Sequence, residues 1–292
     1  MAFKHKDLLG LKDLTAADIM TILETAESMK EIFSRPIRRV PALQAKNVLL
    51  LFYEPSTRTR TSFEMASKML SAGVSNISTS VSSVAKGETL IDTVKNVEVM
   101  GVDSIVIRHS MAGAPHLVAK NVKASVINAG DGFNEHPTQA LLDIFTMREK
   151  KGTVKGKKVV IVGDILHSRV ARSNIWGLLK LGAKVSIVGP PTLIPEGIQG
   201  TGVKISYDLD QEIREADFIN VLRIQKERQD TSYFPSLTEY HKLYGLTTER
   251  MRGAKPDVVV MHPGPINRGV EISSEVADGP FNVILDQVTN GV

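Results

Sequence analysis

The chain of 292 residues contains no cysteine, which excludes disulfide bonds, thiolate metal sites and cysteine nucleophiles together. This absence suits a reducing compartment, so we expect a cytoplasmic protein. No apolar run approaches the roughly 20 residues that span a bilayer. The charged start at residues 1–7 also lacks the apolar core of a signal peptide. We therefore expect no association with a membrane.

Positive charge is in only small excess, with a formal net charge of +4, and the basic residues are scattered. Nucleic-acid binders usually carry a basic stripe or a platform of aromatic residues, and neither is present, so we expect no nucleic acid as a partner. A modest positive excess fits small anionic substrates, although ordinary solvation explains it as well. The seven histidines show no His-x-x-x-His spacing, so we predict no metal.

Two patterns that bind nucleotides are missing as well. The sequence has no Gly-x-x-x-x-Gly-Lys-Ser/Thr loop, which excludes the usual nucleoside-triphosphate site. The turn at residues 163–169 follows a strand pattern but lacks Gly-x-Gly-x-x-Gly, so the backbone cannot easily approach a pyrophosphate. An NAD-dependent dehydrogenase is therefore disfavoured, and we expect no cofactor.

What the sequence does contain is a regular alternation of strand and helix patterns. An amphipathic helix comes first, and Thr15 with Asp18 forms a capping-box pattern at its start. The pattern then predicts strands at 47–53, 76–80, 104–108 and 125–129, helices at 59–70, 89–100 and 115–119, a long helix from Pro137, strands at 158–162, 184–188, 218–222 and 258–261, and a helix at 170–181.

This alternation predicts an α/β fold with two doubly wound parallel-sheet domains, joined by a helix, with a cleft between them. We place the first domain at residues 1–135, the linking helix at 136–151 and the second domain at 152–292.

The most informative stretch lies at residues 54–63 and reads Glu-Pro-Ser-Thr-Arg-Thr-Arg-Thr-Ser-Phe. It follows the first predicted strand and precedes a helical pattern, so its hydroxyls and guanidiniums fall at a helix N-terminus. Unpaired backbone N–H groups and the positive end of the helix dipole favour an anion there, and an arginine fork completes a phosphate cradle. Serine and threonine are also ordinary helix caps, so these residues alone leave both interpretations open.

Polar residues also end other predicted strands of the first half. Arg108 closes the strand at 104–108, and the turn at 128–139 brings His136 to the start of a helix. A histidine at a helix N-terminus is biased toward its neutral form and can donate one hydrogen bond to a carbonyl oxygen. A salt bridge for Arg108 and a packing role for His136 remain open alternatives. Lys86 precedes Gly87 in a polar loop, where it either reaches an anion or lies in a surface turn.

The second half has its own cationic positions. Arg169 lies in the turn after the strand at 158–162, and residues 223–228 follow another strand. Two arginines facing one cleft suit a dicarboxylate, because each fork holds one carboxylate bidentately. The alternative is a charged, solvated helix start. The loop at 262–265 reads His-Pro-Gly-Pro and follows the last predicted strand, where a plain structural turn is also an adequate explanation.

Five motifs together resemble the aspartate/ornithine carbamoyltransferase family: residues 56–60, 86–88, 108–109, 136–139 and 262–265. Each motif is weak alone, but five in the family's order along nearly the whole chain are specific. Residues 223–228 resemble the aspartate-binding segment of the aspartate branch. Pro263 stands where the ornithine branch typically has cysteine. The resemblance implies transfer of a carbamoyl group from carbamoyl phosphate to L-aspartate, in pyrimidine synthesis.

The resemblance also implies roles for individual residues. The phosphate would be held by Ser56, Thr57, Arg58 and Thr59, with Ser82 and Lys86 reaching in from a neighbouring subunit of a homotrimer. The carbamoyl oxygen would be polarised by Thr59, Arg108 and His136, with Gln139 near the amide and the backbone of Gly264 and Pro265 lining the site. The aspartate carboxylates would be held by Lys86, Arg169, Arg223 and Gln225. Arg58, Thr59, Arg108, His136 and Gln139 form the expected catalytic set.

Family members usually continue into a C-terminal helix that packs on the first domain. The sequence stops at Val292, so the resemblance implies that this helix is missing. Regulatory chains or a dihydroorotase are further partners that the resemblance allows. Two other functions stay open. One is carbamoyl transfer to another amino compound, which would require acidic or apolar groups at the positions of Arg223 and Gln225. The other is a non-catalytic amino-acid sensor, which should have lost part of the phosphate cradle.

Overall fold

The computed structural model describes residues 3–78, 87–225 and 233–292. Ser82, Lys86 and residues 226–228 lie outside these ranges, so the predictions made for them have no structural counterpart here. The chain divides into two compact units, Met1–Thr138 with Asn290–Val292, and Gln139–Thr289. The predicted limits at 135 and 152, and the separate linking helix, stay predictions.

The first unit contains a four-stranded parallel sheet with helices between its strands. Its elements are α1 (Ala16–Lys30), β1 (Asn47–Phe52), α2 (Thr57–Met69), β2 (Gly73–Ser78), α3 (Leu90–Val99), β3 (Ser104–His109), α4 (Ala114–Asn121) and β4 (Ser125–Asp131). Helix α5 (Pro137–Lys151) starts in this unit and belongs mostly to the second.

The second unit contains a five-stranded parallel sheet. Its elements are β5 (Lys158–Val162), α6 (Arg169–Lys180), β6 (Lys184–Val188), β7 (Lys204–Ser206), α7 (Leu209–Ile213), β8 (Phe218–Val221), α8 (Leu237–Tyr244), α9 (Thr248–Met251), β9 (Val259–Met261), α10 (Ser274–Ala277) and α11 (Ile284–Asn290). The prediction of two parallel-sheet α/β domains is confirmed.

The central strands are apolar on both faces, as a sheet with helices on each side requires. In β1, Leu49 and Leu51 pack into one buried cluster of the first unit. Val48, Leu50 and Phe52 of the same strand pack into a second cluster. Because successive side chains of a strand point to opposite faces, each face of this sheet has its own core.

Local chemistry explains where the helices begin. The predicted capping box at the start of α1 is present: the Thr15 hydroxyl accepts from the Asp18 N–H at 3.1 Å, and Asp18 Oδ2 accepts from the Thr15 N–H at 2.9 Å. The hydroxyls of Thr89 and Ser168 cap α3 and α6 in the same way. Each such cap pairs one of the backbone N–H groups that a helix start leaves without a partner.

Candidate functional site

In the first unit, the predicted anion-binding residues lie at the carboxyl ends of the central strands. The strand order is β2-β1-β3-β4, so the chain leaves β1 in one direction and returns on the other side of it. Ligands of open α/β sheets bind at such a reversal, beyond the carboxyl ends of the two strands that flank it. Residues 56–59 follow β1, and Arg108 is the penultimate residue of β3; these are the two flanking strands.

The start of α2 differs from an ordinary capped helix. Ser56 is the N-cap residue and has extended backbone geometry, yet its side chain makes no capping hydrogen bond. The first intrahelical bond, from the Arg60 N–H to the Ser56 carbonyl, spans 3.2 Å, so the N–H groups before it lack helical partners. Thr57 and Arg58 are exposed, while Ser56 and Thr59 are half-buried. This helix start can offer hydroxyls and backbone N–H groups to an anion.

Both neighbouring strands hold the guanidinium of Arg108 in place. Its Nε lies 3.2 Å from Oε2 of Glu54, which follows β1, and its Nη1 donates to the Ala129 carbonyl of β4 at 3.4 Å. The Arg108 and Glu54 side chains are only 15% and 19% exposed, so solvent screens this ion pair weakly. Burial lowers the pKa of the next residue, His109, below its ordinary value, against the raising effect of Glu54 and Asp131.

A tight turn after β4 delivers His136 to the start of α5. Oδ1 of Asp131 accepts from the Glu135 N–H at 3.1 Å, and Oδ2 accepts from the Gly113 N–H at 2.7 Å. Gly132 has φ +49°, and a Cβ there would lie 2.8 Å from the backbone of the turn after β3, so only glycine fits without strain. The two turns are thus packed together, which fixes the backbone around His136.

The imidazole of His136 is buried, with 6% of the residue exposed. Its Nδ1 lies 3.4 Å from the Thr138 hydroxyl. When the hydroxyl donates to Nδ1, the ring is left as the tautomer that carries its proton on Nε2 and can donate from there. A neutral histidine of this kind can polarise a carbonyl oxygen.

In the second unit, the predicted aspartate-binding residues occupy the corresponding position. The strand order is β7-β6-β5-β8-β9, so the chain reverses direction at β5 and β8. Arg169 follows β5 and starts α6, while Arg223 and Gln225 follow β8. Arg169 is only 2% exposed, whereas Arg223 and Gln225 are half-buried.

The turn that carries Arg169 is built by close backbone approach and one buried carboxylate. Gly163 has φ +133°, and a Cβ there would lie 2.9 Å from the Leu222 carbonyl. Asp164, which is fully buried, accepts at Oδ1 from the His167 backbone N–H at 3.1 Å and lies 2.8 Å from Nδ1 of the same histidine. The sequence signal for this turn is therefore the Gly-Asp pair, which orders the loop.

Arg223 lines a small open pocket of about 170 Å³ together with Ile224, Asn267 and Val270. Asn267 is fixed there, because its backbone N–H donates to Glu271 Oε1 at 2.6 Å and its side-chain amide donates to the Ile224 carbonyl at 3.2 Å. The pocket therefore combines one guanidinium with ordered amide groups, a set that recognises carboxylates. Asn267 was not among the predicted residues.

The loop at residues 262–265 is anchored from behind. The His262 ring is buried, with Nε2 lying 3.2 Å from Glu271 Oε1 and Nδ1 accepting from the Gly264 N–H at 2.8 Å. Gly264 has φ +64°, a conformation that glycine adopts without strain. This anchoring leaves Gly264 half-buried and Pro265 exposed.

The structure thus brings the predicted residues to the carboxyl edges of two sheets. Along the first edge lie Ser56, Thr57, Arg58, Thr59, Arg108 and His136, and along the second lie Arg169, Arg223, Gln225, Gly264 and Pro265. Gln139 begins the second unit, in the first turn of α5.

Sequence reasoning overlooked two carboxylates beside these residues. Glu54, the ion-pair partner of Arg108, is the first residue of the stretch at 54–63 and its only acid. Asp143 interrupts the apolar stripe of α5 between the fully buried Ala140 and Met147. An acid on an apolar stripe is a usable signal, since such a group must be paired or hydrogen-bonded.

Within the described ranges, no group of three or more His, Cys, Asp or Glu side chains is placed to hold a metal ion. No helix in that part of the chain has both the length and the apolar character needed to cross a membrane.

Comparison with known proteins identifies the family. Residues 6–149 match the carbamoyl-phosphate-binding domain of the aspartate/ornithine carbamoyltransferases, and residues 155–292 match the aspartate/ornithine-binding domain. The chain belongs to the aspartate/ornithine carbamoyltransferase family. Among curated members, the aspartate carbamoyltransferase catalytic subunit of Acetivibrio thermocellus is 61% identical over the whole chain and 94% of its own length. That of Endomicrobium trichonymphae is 58% identical, with the same coverage.

Solved structures of family members agree with this assignment. The aspartate transcarbamoylase of Trypanosoma cruzi in complex with N-(phosphonacetyl)-L-aspartic acid has a TM-score of 0.89 at 30% identity, covering 99% of this chain and 93% of that one. The ornithine carbamoyltransferase of Pyrococcus furiosus has a TM-score of 0.86 at 33% identity, covering 100% and 95%. The two-domain fold is therefore shared by both branches of the family.

Proposed function

We propose that this chain transfers the carbamoyl group of carbamoyl phosphate to the amine of L-aspartate, giving N-carbamoyl-L-aspartate and phosphate in pyrimidine synthesis. The observation that carries the proposal is full-length similarity, at about 60% identity, to catalytic subunits of the aspartate branch. The arginine-bearing edge of each sheet fits that reaction, because both substrates are anions.

The first unit provides the carbamoyl-phosphate half of the site. The phosphate is bound at the start of α2 by Ser56, Thr57, Arg58 and Thr59. Thr59, Arg108 and His136 donate to the carbamoyl oxygen, and Gln139 contacts the carbamoyl amide. Backbone groups of Gly264 and Pro265 contribute to binding of the same substrate.

The second unit provides the aspartate half. Arg169 and Arg223 bind the two carboxylates, and Gln225 adds a hydrogen bond. A bidentate arginine–carboxylate contact fixes both position and orientation, so two of them hold the amine of aspartate in one place. The Arg223 pocket supports this assignment, since its cation lies among ordered amides.

The chemistry needs no covalent nucleophile on the protein. The free amine of aspartate attacks the carbamoyl carbon, and the resulting oxyanion is stabilised by the donors from Thr59, Arg108 and His136. The bond from carbon to the phosphate oxygen then breaks, and the departing phosphate takes the proton that the attacking nitrogen loses. The protein contributes positioning and electrostatic stabilisation.

We further propose that the chain forms a cytoplasmic homotrimer, in which Ser82 and Lys86 of one subunit complete the phosphate site of the next, and Lys86 also contacts aspartate. The support is the family resemblance of these residues. Candidate partners of the trimer are regulatory chains or a dihydroorotase. Light scattering of the purified chain tests the assembly, with a mass of about 96 kDa expected for three chains of 31.9 kDa. A monomeric, active protein would contradict the sharing of residues.

Calorimetry with N-(phosphonacetyl)-L-aspartate tests the substrate class. We expect tight binding, and at least about 100-fold weaker binding of the matching ornithine compound, because one arginine then loses its carboxylate partner in a desolvated site. Inorganic phosphate is the control for the first half of the site. Binding of phosphate alone, without preference for the aspartyl compound, would favour the amino-acid sensor or another amino substrate.

A further inference from the structure

Helix α5 carries a carboxylate that lies entirely inside the second unit, Asp143, with no exposed surface. Side-chain amides from four elements surround it and donate to its two oxygens: Oδ1 accepts from Gln139 Nε2 at 2.9 Å and from Gln287 Nε2 at 2.8 Å, and Oδ2 accepts from Asn174 Nδ2 at 2.8 Å and from Asn220 Nδ2 at 3.4 Å.

Four donors match the roughly four acceptor sites of an ionised carboxylate. Burial raises the pKa of Asp143 to about 6, against the lowering effect of the amides, so the group is ionised at neutral pH. All four contacting groups are neutral. A buried carboxylate costs free energy that these bonds only partly offset, so a fully apolar cluster in this place would serve stability alone better.

The Asp143 carboxylate determines whether the nitrogen or the oxygen of the Gln139 amide faces it. A glutamine amide presents two donors on nitrogen and an acceptor on oxygen, and an ionised carboxylate can only accept. The nitrogen of Gln139 must therefore face Asp143, which leaves the amide oxygen directed elsewhere. Gln139 is half-buried, and in the described part of the chain its oxygen accepts no hydrogen bond.

Oδ1 of Asp143, the atom that accepts from Gln139, is also linked to the loop at residues 262–265 through Gln287. Gln287 donates to it through Nε2, and its own Oε1 accepts from the His262 backbone N–H at 3.0 Å. One buried atom thus orients a side chain and a loop that are both proposed to contact carbamoyl phosphate.

We propose that Asp143 is a positioning residue for recognition of the carbamoyl –NH₂ group: it turns the amide of Gln139 so that its oxygen accepts an N–H of the substrate, and it braces the 262–265 loop through Gln287. This inference rests on the proposed function. It predicts selection for a carbamoyl group over an acetyl group, which has nearly the same shape but a methyl in place of the amine. An acceptor held against a methyl group loses its hydrogen bond and stays desolvated.

The test compares carbamoyl phosphate with acetyl phosphate in the whole protein. We define the selectivity as the inhibition constant of acetyl phosphate divided by the KM of carbamoyl phosphate. Inorganic phosphate, which has neither the carbamoyl nor the acetyl group, is the control ligand. In Asp143→Ala we expect the selectivity to fall by about 10-fold, the value of one well-placed hydrogen bond, while phosphate inhibition stays within about twofold.

The matched control is Asn174→Ala, which disturbs the same buried cluster on the Oδ2 side only. It should lower the melting temperature but leave the selectivity unchanged, because Gln139 keeps its acceptor. Equal selectivity in Asp143→Ala and Asn174→Ala would overturn the proposal, since a purely structural role destabilises both without changing the choice of substrate.

Should Asp143→Ala fail to fold, Asp143→Asn keeps the shape of the side chain. The surrounding donors then compete for one oxygen, so we expect a loss of selectivity of about threefold. A folded Asp143→Asn protein with the selectivity of the wild type overturns the inference. Failure of the proposed function is distinguishable, because the wild-type protein itself would then form no carbamoyl aspartate.

Discussion

Replacing Arg108 distinguishes a catalytic role of the carboxyl edge of the first sheet from a structural role of the sheet as a whole. The same two strands, β1 and β3, are joined by an ion pair at each end. At the carboxyl end Arg108 lies 3.2 Å from Glu54, and at the amino end Lys46 lies 2.9 Å from Asp103. Arg108→Ala and Lys46→Ala therefore remove one cation each from the same sheet, but only the first removes a proposed oxyanion donor.

The structure sets the expected size of each effect. Arg108 is 15% exposed and held from both sides, so it is preorganised, and loss of such a donor costs about 2.7–4 kcal/mol of barrier, or about 100- to 1,000-fold in turnover. Lys46 is 58% exposed, and an exposed pair contributes about 0.2–1 kcal/mol to stability and nothing to turnover. Arg108→Lys should recover little, because an ammonium cannot contact Glu54, the Ala129 carbonyl and a substrate together.

The assay measures formation of carbamoyl aspartate at saturating substrate, with circular dichroism and thermal melting as checks on the fold. A folded Arg108→Ala protein whose turnover is within about threefold of the wild type would refute the role of Arg108. A comparable loss of turnover in Lys46→Ala would show that the effect comes from the sheet as a whole.

Three further predictions concern other groups of the structure. His136→Ala should lower turnover by about 100- to 1,000-fold while inorganic phosphate still binds in calorimetry; unchanged turnover in the folded variant would exclude an oxyanion role. Burial raises the pKa of Asp143 from 3.8 to about 6, so between these pH values the folded state holds a proton that the unfolded chain releases. This group should therefore add about 3 kcal/mol to the unfolding free energy as pH falls from 7 to below 4. Urea titrations should show this pH-dependent component in the wild type and not in Asp143→Asn. Glu135→Ala should cost about 1–3 kcal/mol of stability, since the Leu11 and Lys12 N–H groups donate to its carboxylate at 2.7 and 3.2 Å; a melting temperature equal to that of the wild type would contradict this.

Much of the fold follows from local pattern. The strands at 158–162 and 184–188 were predicted with the bounds that β5 and β6 have, because each is a short apolar run between turns. The cap of α1 was readable from Thr15 and Asp18 alone. In contrast, β7 (Lys204–Ser206) was missed, since three residues without an apolar pattern become a strand only by pairing with β6. Helix α8 was missed as well, although Ser236 caps it.

The part of the candidate site that lies at strand ends could be predicted from the sequence. In a parallel sheet the carboxyl ends share one edge, so residues such as Arg108 and Arg223 could be placed without coordinates. Contacts between distant parts of the chain could not be predicted. Asp143 and Gln287 are separated by 144 positions and meet only in the folded unit, and the pairing of Glu54 with Arg108 depends on the register of β1 against β3.

Product analysis with the purified protein tests the proposed reaction directly. Incubated with carbamoyl phosphate and L-aspartate, it should form N-carbamoyl-L-aspartate and phosphate in equal amounts, and it should form no citrulline when L-ornithine replaces aspartate. Formation of citrulline, or a folded protein that yields neither product, would contradict the assignment of the two arginine-bearing edges to carbamoyl phosphate and aspartate.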